Sequence, residues 1–256
     1  MTIHTPPKRR HAARIATAIS LAAAAALPLT WGIAAAASFI SGDDGGMHRF
    51  HDLTGTGIVL AILWLGAVAR LARGSDRHPA ALLQLLSVPL TAAAATVLSG
   101  ESPVVPVVVA VPALALLALH GDRAALRVIR PNAAVAALAV GAAVPLTLYA
   151  VGQGHTQSVS TDAHAQMEHY FDMAWIALLI PATTAVAALG VRGWRWAAGC
   201  AAAGAGLLGV AAMVFPDQAS SPGAGWGVVA VVWALTLIAV TGLSEPAPEP
   251  VEATAF

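Results

Sequence analysis

The chain has 256 residues, of which 58% are hydrophobic and 10% charged, with a formal net charge of zero. Soluble domains carry about 25% charged residues, so this composition excludes a soluble globular domain, and the neutral balance gives nucleic acid no footing. The single cysteine, Cys200, excludes an internal disulfide and a paired-cysteine metal site.

Basic residues Lys8, Arg9, Arg10 and Arg14 precede an apolar run over about 15–40. That run is longer than the roughly 7–15 apolar residues of a cleavable signal, so it reads as an uncleaved anchor. Further runs follow at about 54–72, 80–99, 104–120, 132–152, 173–191, 196–215 and 225–243. A spanning helix needs about 20 apolar residues. The reading is therefore an all-α, polytopic bundle of about eight transmembrane helices. The run 104–120 is the shortest and contains Pro106 and Pro112. Lys8 is the sole lysine and lies outside every run, which excludes a retinal Schiff base in a membrane helix.

Arginines orient the chain. Arg70, Arg73 and Arg77 follow the second run, Arg123, Arg127 and Arg130 the fourth, and Arg192 and Arg195 the sixth. Only Arg49 falls in a loop of the opposite parity. Positive charge marks the cytoplasmic side, so both termini are expected there. Alanine richness and arginine in place of lysine suggest a GC-rich bacterial genome, hence the bacterial cytoplasmic membrane. The acidic, proline-rich end, residues 244–256, reads as a disordered cytoplasmic tail.

Two polar stretches interrupt the apolar pattern. "GDDGGMHRFHDLTG" lies between the first two runs and "GHTQSVSTDAHAQMEHYFDMA" between the fifth and sixth. "HRFH" from His48 aligns with "HYFD" from His169, placing Phe50 opposite Phe171. This spacing suggests two parallel four-helix halves related by an axis along the membrane normal. The expected organisation is a basic N-terminus at 1–14, a first half at 15–130, a second half at 131–243 and the tail at 244–256.

Both polar stretches face outward under this topology. They bring His48, His51, His155, His164 and His169 to one side, with Asp43, Asp44, Asp52, Asp162, Glu168 and Asp172. His48 and His51, and His169 and Asp172, are spaced i, i+3, and His164 and Glu168 are spaced i, i+4, so each pair shares a helix face. Imidazole with carboxylate suits zinc, iron, copper or nickel. The candidate metal ligands are His48, His51, Asp52, His164, His169 and Asp172. The plainer reading stands beside it: acids near a helix N-terminus complement its dipole, and histidines are ordinary in wet loops. The catalytic residues and the identity of any cofactor stay open, between a transition metal and haem.

"MHRFHDLTG" resembles the His-Arg element that opens a helix in haem A synthases, which are built of two four-helix halves. That family also places histidines at the outer ends of its fourth and eighth helices. Here those ends read "ESPVVPVV" and "GAGWGVVA", and the second half has His169-Tyr170 in place of His-Arg. "GGMHRFHDLTGTGIVLAILWLGAVARLARG" is also similar to a bacterial and archaeal family of small polytopic membrane proteins of unknown function. Its members open a helix with a His-Asp pair after a Gly/Asp loop, and "FPDQASSPGAGWG" has that family's Phe-Pro-Asp flavour. The resemblance implies a membrane location and carries no activity.

Three functions remain from the residues. One is a membrane protein with an outward His/carboxylate site for a transition metal or haem. Another is a small-solute permease, against which the mid-membrane segments hold no charge and are interrupted by Gln84, Ser87, Thr91, Thr147, Thr183, Thr184 and Thr236. The third is an accessory membrane subunit without chemistry of its own. The bilayer is the only partner the composition names.

Overall fold

The computed structural model describes residues 7–42, 48–55, 57–73, 78–119, 126 and 129–244. Among these, every regular element but a residue of 3₁₀ turn is α-helix, in the order α1 (Pro7–Ser41), α2 (Arg49–Leu53), α3 (Ile58–Ala72), α4 (Pro79–Ser99), α5 (Val104–Leu119), α6 (Ala133–Val159), α7 (Ala163–Gln166), α8 (His169–Ala188), α9 (Trp194–Val214) and α10 (Ala224–Leu243). Six of these, α1, α4, α6, α8, α9 and α10, are long and apolar enough to cross a membrane, which marks a multi-pass membrane protein. The second and fourth expected runs form shorter apolar helices. At 1.5 Å per residue, α3 and α5 are about 22 and 24 Å long, less than a full hydrocarbon core.

Helix α1 begins at Pro7, so residues 7–14 of the expected basic N-terminus are helical. The second run is not one helix from 54. Helix α2 ends at Leu53 with Thr54 as its C-cap, and α3 starts at Ile58 after Gly57, whose backbone lies against the Asp52 carbonyl. Arg77, Arg123, Arg127, Asp43, Asp44, His120 and the tail 245–256 lie outside the described residues.

Helices α3, α4, α8 and α9 form the centre of the bundle. There α3 packs on α9, α4 on α8, α3 on α4 and α8 on α9. On one side α1 contacts α3 and α5, and α5 contacts α4; on the other α6 contacts α8 and α10, and α10 contacts α9. Small residues set the closest crossings, as membrane packing without a hydrophobic drive requires. A Cβ on Gly154 would lie 2.7 Å from the Leu98 side chain, one on Gly66 2.7 Å from Cys200 Sγ, and one on Gly209 2.6 Å from the Gly227 carbonyl. Gly141, by contrast, faces open space.

Backbone and side-chain bonds tie each end of the bundle. At one end the Arg130 N–H donates to the Leu189 carbonyl, Asn132 N–H to Ala188, and Ala80 N–H to Arg192. Asn132 Nδ2 donates to Ser244 Oγ at 2.9 Å, and Arg195 donates to the Ser244 carbonyl. The opposite end carries the histidines. Gly190 belongs to the arginine end, with φ +62° and an added Cβ only 1.8 Å from the Arg130 carbonyl oxygen. Gly190→Ala is expected to cost more than the roughly 1–2 kcal/mol of a left-handed residue alone. Thermal unfolding in detergent checks it, and an unchanged transition would contradict the close approach.

Candidate metal centre

Five residues of helix, α2, bring the first two histidines into place. His48 is its N-cap and His51 lies in its last turn, so the i, i+3 pair shares a face as its spacing predicts. The Gln218 Oε1, from the α9–α10 loop, accepts the Phe50 N–H at 2.9 Å. The Thr54 hydroxyl closes the other end, donating to the Phe50 carbonyl at 2.6 Å and lying 3.2 Å from Met173 Sδ on α8. A Cβ on Gly55 would stand 3.0 Å from Cβ of Asp172, so the turn after α2 rests directly on α8.

The other two histidines come from α7 and α8. Asp162 caps α7, accepting the Ala165 N–H at 2.8 Å, and accepts the Tyr170 hydroxyl at 2.9 Å on α8. These bonds, the backbone one first, hold the Asp162 carboxyl below its usual range. A depressed carboxylate stabilises the fold above the unfolded value and loses that contribution as pH falls through the folded one. Glu168 joins the two helices at φ +58°, a left-handed conformation rare outside glycine. The expected shared helix face of His164 and Glu168 is therefore corrected: α7 ends at Gln166 and the chain turns between them. Partial burial, then the Glu101 charge, raise the Glu168 carboxyl.

All four rings meet. His48 Nδ1 lies 2.8 Å from His169 Nε2. His48 stacks on His164 with centroids 4.6 Å apart, and His51 stacks on His169 at the same 4.6 Å, each pair tilted by only 12°. His51 and His164 are 5.2 Å apart. Donor atoms of His48, His51 and His169 lie within 4.8 Å of one another, the group among the described residues compact enough for an ion. His164 lies against that trio but is not part of it, and neither are Asp52 and Asp172, which are buried beside it at 8% and 5% exposure. His155 is exposed on α6.

His51 is the most demanding member. It is fully buried, and both ring nitrogens lack a hydrogen-bond partner. Burial first, and then the charges of His169, His164 and His48, lower its pKa to about 2. The ring is thus neutral at physiological pH, the form that binds metal. A buried unsatisfied polar atom costs about 1–3 kcal/mol, so the surroundings leave these nitrogens for something other than protein. Haem does not fit. The rings contact one another directly, and a 2.8 Å approach leaves no slot for a macrocycle between them.

The side chains that hold this arrangement were not singled out by sequence. Gln157, buried near the end of α6, donates from Nε2 to the Ala165 carbonyl at 2.8 Å and to Glu101 Oε1 at 2.9 Å. Its Oε1 accepts the Phe171 N–H at 3.3 Å. One amide thereby fixes α7 beside His164 and α8 beside His169. The only available signal was a glutamine between small residues at the end of an apolar run. Gln157→Leu is expected to lower the unfolding free energy by about 1–3 kcal/mol. Retained stability in a denaturation series would show that the amide clamps nothing.

Comparison adds no relative. No protein-family model matches the chain, and neither a curated protein nor a solved structure matches it. What the molecule does must therefore be read from its own geometry.

Proposed function

We propose that this protein holds a transition-metal ion on the outer face of a bacterial cytoplasmic membrane, with His48, His51 and His169 as ligands and His164 covering the remaining position. One observation carries the reading: His51 places two buried, unpartnered ring nitrogens among three other imidazoles. An ion coordinated at about 2.0–2.1 Å needs donors roughly 3–3.5 Å apart. The 2.8 Å between His48 and His169 is within a small ring adjustment of that. Imidazole donors suit zinc, copper, iron or nickel. Asp52 and Asp172, buried on the same elements as His51 and His169, stand outside the ligand set. A bound ion would supply Lewis acidity or, for copper or iron, one-electron chemistry.

The orientation belongs to the same reading. The described arginines of the loops and helix ends, Arg70, Arg73, Arg130, Arg192 and Arg195, gather at the end of the bundle away from the histidines, with Arg49 the exception. Eight crossings with both termini cytoplasmic account for that. The two short helices are accommodated by local thinning of the bilayer, and in the first half α2 lies at the membrane boundary above α3. The matching ring of contacts on each side of the bundle supports two parallel halves, with the equivalent His48 and His169 meeting near their axis.

The test is elemental analysis of detergent-purified protein with a cobalt-substituted spectrum. A stoichiometric ion, with ligand-field bands typical of imidazole coordination, supports the site. Metal-free protein that also fails to take up added zinc, copper or cobalt overturns it, and leaves an accessory subunit as the reading.

A further inference from the structure

The second half of the bundle is less tightly closed than the first. Helices α1 and α5 pack against each other more extensively than their counterparts α6 and α10 do. The latter pair is joined at the arginine end by Asn132 and Ser244, and at mid-height by Trp233 Nε1 donating to the Leu138 carbonyl at 3.1 Å. Between them α9 forms the back wall. The result is a groove of about 310 Å³, walled by Gly141, Pro145, Leu148, Ala205, Leu208 and Val229 among others. Its residues on α9 and α10 belong to the halves of those helices nearest the histidines, and those on α6 run across its middle, from Gly141 to Tyr149.

We infer that this groove binds one hydrocarbon chain of a bilayer phospholipid. The opening lies between two helices long and apolar enough to span, so it faces the lipid phase and not water. An empty groove would forfeit the dispersion contacts of its lining, and water would find almost nothing to bond. The one phenol in the wall, Tyr149, already donates to the Ser220 carbonyl. The groove is walled by small and aliphatic residues and an indole, which suits a hydrocarbon chain. Gly141 leaves open space where a packed helix would need contact. Tyr149, Pro222 and the exposed Trp226 stand at the mouth, the aromatic belt position where chains meet headgroups. The mouth is continuous with the metal centre through one loop, residues 215–223, in which Ser220 and Pro222 border the groove and Gln218 holds the Phe50 N–H of α2. The inference stands apart from the metal reading and survives its failure.

Photolabelling tests it. The whole protein is placed in vesicles of phosphatidylethanolamine and phosphatidylglycerol containing a phosphatidylglycerol with a diazirine on one acyl chain. Label is expected to concentrate on residues 141–149 and 226–233, over the exposed membrane-facing Leu90 and Val97. Excess unlabelled phosphatidylglycerol should remove it. Gly141→Phe, which fills the groove from open space, should abolish the concentrated label. Gly225→Phe, also starting in open space but outside the groove, should leave it intact. Uniform label along all lipid-facing helices, label untouched by Gly141→Phe, or cross-links from the groove to a second copy of the chain would each overturn the inference.

Discussion

Replacing His51 with alanine is expected to abolish metal retention. The effect should exceed the 10–100-fold that loss of a supporting partner costs a metal site, because in the proposed centre His51 is itself a ligand and its ring touches the other three. The same substitution separates the metal reading from ordinary packing. In metal-free protein the two unpartnered nitrogens of His51 are a liability, since each buried polar atom left unsatisfied costs about 1–3 kcal/mol. His51→Leu should therefore leave the metal-free protein as stable as the parent, or more so, while losing the ion. A residue kept for stability would behave the opposite way. The measurements are metal content by mass spectrometry and thermal unfolding with and without chelator. The metal reading is wrong if chelator leaves the parent's transition unmoved and His51→Ala holds as much ion as the parent.

Mean hydropathy and arginine placement made the helical bundle legible, because both act residue by residue and need no knowledge of partners. The two polar stretches were legible for the same reason. The spacing of "HRFH" and "HYFD" also made an encounter between His48 and His169 conceivable. What could not be read was anything set by contact across the bundle. One such contact is the close approach of Gly57 to the Asp52 carbonyl between α2 and α3. The turn at Glu168 depends on Gln157 and Asp162 holding α7 from two sides. Asp52 and Asp172 look like ligands in sequence because carboxylates at helical spacing from histidine usually could be. In the fold they lie outside the compact donor group. The groove was invisible because it is a difference in packing between two halves with similar patterns. Nothing in the composition of α10 distinguishes a helix that closes a ring from one that leaves it ajar.

Gly57→Ala is expected to dismantle the centre without touching a ligand. A methyl at that position would lie 1.5 Å from the Asp52 carbonyl oxygen and 2.4 Å from its carbon. The obstacle is neighbouring backbone, since the Leu53 nitrogen also lies within 3.2 Å of the added methyl. Ordinary contact distances demand a separation larger by roughly 2 Å. No flexible side chain can give way, so α2 must move as a unit. That helix is short, carries His51, and is pinned by Gln218 at its start and Thr54 at its end. A 2 Å shift carries His51, with His48 at the N-cap of the same helix, away from His169, whose donor already sits near coordinating distance. The cost in stability should be about 3 kcal/mol or more, the upper range for forcing atoms into packed space. Metal content should fall to that of His51→Ala while the helix signal in circular dichroism persists, because the long helices do not depend on the turn. Gly152→Ala is the matched control: it is helical with nothing within 4 Å, and should gain roughly 0.5–1 kcal/mol from helix propensity. Undiminished metal binding in Gly57→Ala would mean that α2 is not held where the histidines meet.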